Sequence, residues 1–295
     1  METSTSGELA QFLQTQMLKY QTRQLVGVSA EEFRRDIELF LRMNDADMEE
    51  FIDPKKQRDL SIKFHWGHNH DFGDFRLEGR MQNRHIDLLA GFMKRFQLSP
   101  SDFAGKKVLD IGCWTGGTSL LLCALGARVL AVEELKKYAE TVRYLKRAFN
   151  LANLEVLSSS LFDCTTGEFQ DRFDFVLFAG VLYHVTDPIL ALRITFNCLK
   201  NGGKCLLETY ALDSLESVME YHGPGILGPG SEEDLNRGGW NWFVPSPAAL
   251  QRMMGDVGYQ EVTVSEVMGT RSLAVGTRHQ HNDMMRSGLS VRSIR

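Results

Sequence analysis

Asp110, Gly112, Trp114 and Gly116 fall in one short segment, Val108-Leu-Asp-Ile-Gly-Cys-Trp-Thr-Gly-Gly-Thr118, where an apolar run ends in a glycine-rich turn. Glycines there let a ligand approach the backbone closely, and Asp110 offers a carboxylate to a cationic group. About twenty residues on, Arg128-Val-Leu-Ala-Val-Glu133-Glu134 is a second apolar run ending in acid, the standard means of binding both ribose hydroxyls. Glu133 stands directly at the end of the alternating run and is preferred over Glu134. The turn reads Gly112-Cys-Trp114-Thr-Gly116-Gly117 and falls short of a GxGxxG fingerprint. Spacing and context together favour nucleoside binding over surface acid at a strand end. Cys113, in an apolar neighbourhood, reads as a small hydrophobe and no nucleophile.

A second group of residues suits an acceptor. Tyr183-His184 follows the run Phe173–Gly180 at the mouth of a predicted strand, placed to act as a base or to position an acceptor. Capping and packing remain an equal alternative for His184. The loop Phe64-His65-Trp66-Gly-His68-Asn-His70-Asp-Phe72 combines aromatics with histidines. Its spacing does not match zinc patterns, so no metal is expected. The loop reads as a cap over an acceptor, with Phe64, Trp66 and Phe72 as an apolar wall and His65 and His68 inside, or as aromatic packing of an N-terminal layer. Trp240 and Trp242, in a glycine-rich stretch, suggest contact with an aromatic or cationic acceptor. Tyr183, His184, Trp242 and at least one of His65 and His68 are expected to line one pocket.

Three zones must position these residues. Residues 1–100 form a helical extension, with Leu9, Phe12, Leu13 and Met17, and again Phe33, Ile37, Phe40 and Leu41, at helical spacing. Ser29 followed by Glu31 and Glu32 marks a helix start. From Lys106 short β-rich runs alternate with helical stretches: KVLDIG, RVLAVEE, LEVLSSS, FDFVLFAG, GGKCLLETY and YQEVTVSEV. That rhythm predicts an α/β fold, a doubly wound and mostly parallel Rossmann-like sheet over 101–278. Residues 211–246, rich in glycine, read as a late lid insert, and 279–295 as a flexible tail.

The chain has 295 residues, 33 basic against 38 acidic, for a net charge of −5. Nucleic-acid binders usually carry a basic excess, so a small-molecule acceptor is favoured over nucleic acid. Lys136, Lys137, Arg143, Lys146 and Arg147 read as the solvated face of a helix. No apolar run approaches the ~20 residues of a membrane span. The N-terminus lacks a secretory layout and the five cysteines show no CxxC, so a cytoplasmic location is expected. A homo-oligomer contact is an alternative use of the N-terminal zone.

The series VLDIGC, AVEE, FDFVLFAGVLYH and LKNGGKCLLET resembles the ordered motif set of class I S-adenosylmethionine-dependent methyltransferases over residues 106–275. The resemblance implies S-adenosylmethionine as cofactor, held by Asp110, Gly112, Trp114, Gly116 and Glu133. Ser160-Leu161 would flank the adenine, and Ala179 the methionine portion. Trp114 stands where the superfamily usually has its middle glycine, which also admits a non-catalytic cofactor-binding protein. GVLYH, LLET, the long insert, Trp242-Phe-Val-Pro-Ser-Pro-Ala-Ala-Leu and GDVGYQEVTV are similar to the tRNA wobble-uridine carboxymethyltransferases. Those enzymes hold the extra carboxylate of a modified cofactor with a lysine, the tyrosine of LYH and a late arginine. Tyr183 matches the tyrosine; Arg271 and Arg278 are both candidates for the arginine, and no lysine before Val108 matches. The implied alternative to methylation of a small molecule is therefore methyl or carboxymethyl transfer to a tRNA wobble uridine.

Overall fold

The computed structural model describes residues 6–42, 64–223 and 241–279. The N-terminal zone contributes helices α1 (Ser6–Met17) and α2 (Ala30–Phe40), a small hairpin of β1 (His70–Asp71) and β2 (Arg76–Leu77), and helix α3 (Arg84–Arg95). Ser29 starts α2 by a reciprocal cap: its hydroxyl accepts from the Glu32 amide, and the Glu32 carboxylate accepts from Ser29. Those hydrogen bonds hold the Glu32 carboxyl below its usual pKa. Leu13, Met17, Phe33 and Ile37 turn inward as their spacing predicts, whereas Phe12 and Leu41 stay exposed.

From Lys107 the chain supplies strands β3 (Lys107–Ile111), β4 (Arg128–Glu133), β5 (Leu154–Ser158), β6 (Phe173–Ala179) and β7 (Leu199–Tyr210). The short strands β8 (Met219–Tyr221) and β9 (Phe243–Pro245) form a separate antiparallel pair, and β10 (Gln260–Val264) and β11 (Arg271–Thr277) follow. Seven of them make one sheet in the order β10-β11-β7-β6-β3-β4-β5. β4 runs parallel to β5, and β3 to β6 to β7, while β11 is antiparallel to both its neighbours. The helices interleaved with the strands are α4 (Gly117–Ala124), α5 (Lys136–Ala148), α6 (Pro188–Cys198) and α7 (Pro247–Val257). The doubly wound, Rossmann-like sheet expected from the βα rhythm is present.

β11 has no counterpart among the expected strands. Its small residues Ser272, Ala274 and Gly276 carry little β signal, yet Leu273, Ala274 and Val275 are all buried because neighbours cover both faces. β7 begins at Leu199, ahead of the Asn201-Gly-Gly turn expected to launch it.

By packing, the chain divides into two compact units. The first joins the N-terminal zone to Cys113–Ser158. Within it α1 lies on α3 and α4, and the Tyr20 hydroxyl donates to the Leu120 carbonyl at 2.6 Å. Helix α2 lies on α5, where Tyr144 donates to Asp36 at 2.9 Å and Phe33 stacks on the Tyr144 ring. Phe33 also meets Phe72 and Phe149 edge-on, an aromatic core in which each buried ring contributes about 2–3 kcal/mol. Lys137, expected on a solvated face, is buried: its ammonium donates to the Arg42 carbonyl and lies 5.5 Å from the Phe64 ring centre. The second unit carries β3, β6, β7, β10 and β11 with α6 and α7.

Candidate functional site

In the first unit the glycine turn is anchored by acid. Glu133 is buried, and its two carboxylate oxygens accept from the backbone amides of Trp114 at 2.8 Å and Leu135 at 3.0 Å. Trp114 holds a left-handed backbone, φ 54°, which costs a non-glycine residue roughly 1–2 kcal/mol unless its surroundings hold it. Those surroundings are the Glu133 carboxylate and edge-on rings at Tyr138 and His68, with centroids 6.1 and 6.0 Å away. Gly116 has φ 80° and leads straight into α4. A carboxylate offers about four acceptor positions, a type of group suited to hydroxyls.

The 64–70 loop belongs to this unit as well. The Gly67 amide donates to the Thr115 hydroxyl at 2.9 Å, and Phe64 packs against Tyr138 with centroids 4.8 Å apart. His65 donates its amide to the Tyr138 hydroxyl at 3.4 Å. Trp66 is 5% exposed and packs edge-on against Phe72, so much of its surface serves the aromatic core. His70 stacks on Phe72 at 3.9 Å, and His68 lies 4.7 Å from His85. Burial pushes the His68 and His70 imidazoles down to about 4 and holds His85 well below the usual range; Arg84 adds to the effect at His68. All three are neutral at pH 7. Among the described residues no group of three His, Cys, Asp or Glu side chains is placed to hold a metal ion.

The second unit carries the remaining candidates. Asp110 is buried in β3, and Gly112 beyond it has φ 73°; a Cβ there would come within 2.5 Å of Val181 Cγ2. Ser160 caps a short turn, its hydroxyl accepting from Phe162 at 3.4 Å, and Leu161 behind it is buried. Ala179 ends β6 opposite Glu208 of β7. Tyr183 is buried, with the His184 ring 4.0 Å away. The half-buried Trp242 is tied to this turn, its amide donating to the Tyr183 carbonyl at 2.8 Å. Trp240 lies outside the described residues.

Arg271 and Arg278 separate here. Arg278 is a structural pin: one guanidinium nitrogen donates to the carbonyls of Phe196, Asn197 and Leu199 and pairs with Asp171 at 2.8 Å. Arg271 instead lies over Tyr183, 4.7 Å from the ring centre, and over Tyr210 at 5.1 Å. Its Nη1 is 3.5 Å from a Glu208 oxygen, within ion-pair range, and makes no hydrogen bond. Burial opposes the Arg271 charge; the Tyr183, Glu208 and Tyr210 oxygens more than offset it and hold the pKa above the ordinary value. Glu208 and Tyr210 were not singled out from sequence. Their spacing of two along β7 puts both on one strand face, and the antiparallel register sets Arg271 opposite Tyr210.

Comparison with known proteins assigns the chain to a family. The chain is 28% identical over 172 residues to a tRNA U34 carboxymethyltransferase of Alteromonas mediterranea, and 32% identical over 174 residues to one of Pseudomonas aeruginosa. Each match covers 56% of this chain and 48% of the relative, so the chain spans about half the length of the curated relatives it matches. Among solved structures, the N-terminal domain of EvdMO1, crystallised in the presence of SAH and D-fucose, superposes with a TM-score of 0.56 at 18% identity. That superposition covers 86% of this chain and 98% of the other, a likeness of fold. The family model described as a methyltransferase domain matches residues 81–264, well over half of the chain, and the protein therefore belongs to the methyltransferase-domain family.

Proposed function

We propose that the protein binds S-adenosylmethionine and catalyses transfer of its methyl group to a small-molecule acceptor. The observation that carries this reading is the buried Glu133 carboxylate, fastened to the amide of Trp114 in the glycine turn. It supplies fixed acceptor oxygens for a ribose beside a backbone that glycine lets a ligand approach. Within the first unit the residues fit the cofactor's ribose: the buried Glu133 carboxylate suits hydroxyl groups and stands against the glycine turn at Trp114 and Gly116. Trp114, Gly116 and Glu133 of the first unit, and Asp110, Gly112, Ser160, Leu161 and Ala179 of the second, are the proposed cofactor-binding residues.

When bound, the cofactor supplies an activated sulfonium methyl. The chain's part is alignment, which can lower a barrier by ~7–11 kcal/mol. Tyr183, held by Arg271 and adjoining His184, orients an acceptor oxygen or nitrogen, and His184 takes a proton where the acceptor is a hydroxyl. Trp242, tethered to the Tyr183 carbonyl, provides an apolar wall. The acidic balance of the chain supports a small acceptor over a nucleic acid.

One observation favours a second reading. Arg271 over Tyr183, with Nη1 free of hydrogen bonds, suits a carboxylate on the transferred group, as the likeness to tRNA U34 carboxymethyltransferases suggests. Incubating the protein with cell extract and S-adenosylmethionine labelled in its methyl group, or its labelled carboxylated form, distinguishes them. Label in small metabolites from the plain cofactor supports the first reading. Label in tRNA from the carboxylated cofactor establishes the second, and no transfer from either sinks both.

A further inference from the structure

The 64–70 loop bears directly on the glycine turn. Gly67 has no room for a side chain: a Cβ there would lie 2.8 Å from the Thr115 hydroxyl and 2.9 and 3.0 Å from two atoms of the Trp114 ring. The same residue donates its amide to that hydroxyl at 2.9 Å, and Thr115 is buried. One residue on, the His68 ring reaches α4, where a Cβ on Gly117 would lie 2.6 Å from His68 Nδ1. The half-buried Trp114 is thereby held on several sides. Its backbone is held at φ 54° by Glu133, its ring lies against Gly67, and Tyr138 and His68 meet it edge-on.

A glycine at position 114 would adopt that backbone without cost and would need no such support. A tryptophan needs a wall on the ring's far side, and a β-carbon on the wall would push the ring, and with it the turn, out of place. Thr115 adds the second half of the device, since its hydroxyl ties the loop's backbone to the turn's next residue.

We propose that Gly67 is a positioning residue for the cofactor: by close backbone approach it locks Trp114 and Thr115, and so sets the shape of the turn that binds S-adenosylmethionine. The loop then acts first on the cofactor side, and the tryptophan in a glycine's place is one half of an interlocking pair. This rests on the proposed cofactor reading of the turn.

The test is a double-substitution cycle read by calorimetric affinity for S-adenosylhomocysteine, with thermal melting recorded in parallel. Gly67→Ala in the natural chain should weaken binding about tenfold, within the coupling range of residues in contact. In a Trp114→Gly background, where the ring is gone, the same Gly67→Ala change should alter affinity less than about twofold. Thr115→Val, which removes the hydroxyl without adding bulk, should also weaken binding several-fold, and it serves in place of Gly67→Ala should that variant fail to melt cooperatively. Equal losses from Gly67→Ala in both backgrounds, or a lowered melting temperature with unchanged affinity, would overturn the proposal and leave Gly67 a packing residue. A natural chain that binds no S-adenosylhomocysteine would sink the cofactor reading itself.

Discussion

The Arg271 guanidinium lies 4.7 Å from the centre of the Tyr183 ring, although the two residues come from different strands' ends. Arg271 opens β11 opposite Tyr210, while Tyr183 sits in the turn after β6. The pair gives the tyrosine of the LYH motif a fixed cation and leaves Arg278 to a different task.

The two arginines should therefore respond differently to lysine. Arg271→Lys keeps the charge but loses the planar face over both rings, so turnover should fall at least about tenfold with little change in melting. Arg278→Lys gives up several buried carbonyl hydrogen bonds and should cost about 1–3 kcal/mol of stability, measured by urea denaturation, while leaving cofactor affinity unchanged. The opposite pattern would show that the arginines have been assigned the wrong roles.

Glu133 anchors the glycine turn and is proposed to bind the cofactor's ribose, and its removal tests both. Glu133→Ala should weaken S-adenosylmethionine binding by ~1.5–3 kcal/mol, as expected for lost hydrogen bonds to a charged group. It should also lower the melting temperature, because the Trp114 and Leu135 amides lose their acceptor. Unchanged calorimetric affinity would refute the ribose assignment.

Trp242 and Trp66 should part company. Trp242→Ala should depress turnover and leave cofactor affinity nearly intact, because it removes a half-buried wall beside Tyr183. Trp66→Ala removes a ring 5% exposed and should destabilise the fold by about 3–5 kcal/mol. Denaturant midpoints for the two variants, alongside initial rates, check the contrast; equal midpoints would count against it.

Acid should loosen the first unit. The His70 imidazole sits at about 4 when folded against an ordinary 6.5, because burial penalises its charge. Above pH 6.5 it is neutral folded or unfolded, and its full contribution to stability is present. As pH falls from 6.5 toward 4 the unfolded chain takes up a proton the folded chain refuses, so stability drops by on the order of 3 kcal/mol from this residue. His68 and His85 act in the same direction. Urea titrations between pH 4 and 8 should show the decline in the natural chain and a shallower one in His70→Phe; a flat profile in the natural chain excludes it.

Local pattern was enough for the parts governed by neighbours in sequence. Alternating apolar runs marked β3 to β7 and β10, Ser29 with Glu32 marked the start of α2, and the glycine turn and Glu133, about twenty residues apart, marked two stretches that the fold joins through the Trp114 amide. Tyr183-His184 was legible as a candidate because an open turn followed a strong strand. Other features depend on residues far apart in the chain. β11 is a strand because β7 and β10 supply its hydrogen bonds on either side, which Arg-Ser-Leu-Ala-Val-Gly-Thr does not announce alone. Arg271 and Arg278 looked equivalent in sequence; strand register aims one at Tyr183 and drives the other into the carbonyls ending α6. Lys137 reads as a surface charge by composition and is buried because an N-terminal carbonyl reaches it. Trp114 in a glycine's place looked like a departure from pattern, and only the fold shows that Gly67, Tyr138 and Glu133 make room for it. Side-chain periodicity follows from backbone geometry within a few residues, whereas close approach and charge pairing are set by which elements the sheet and its covering helices bring together.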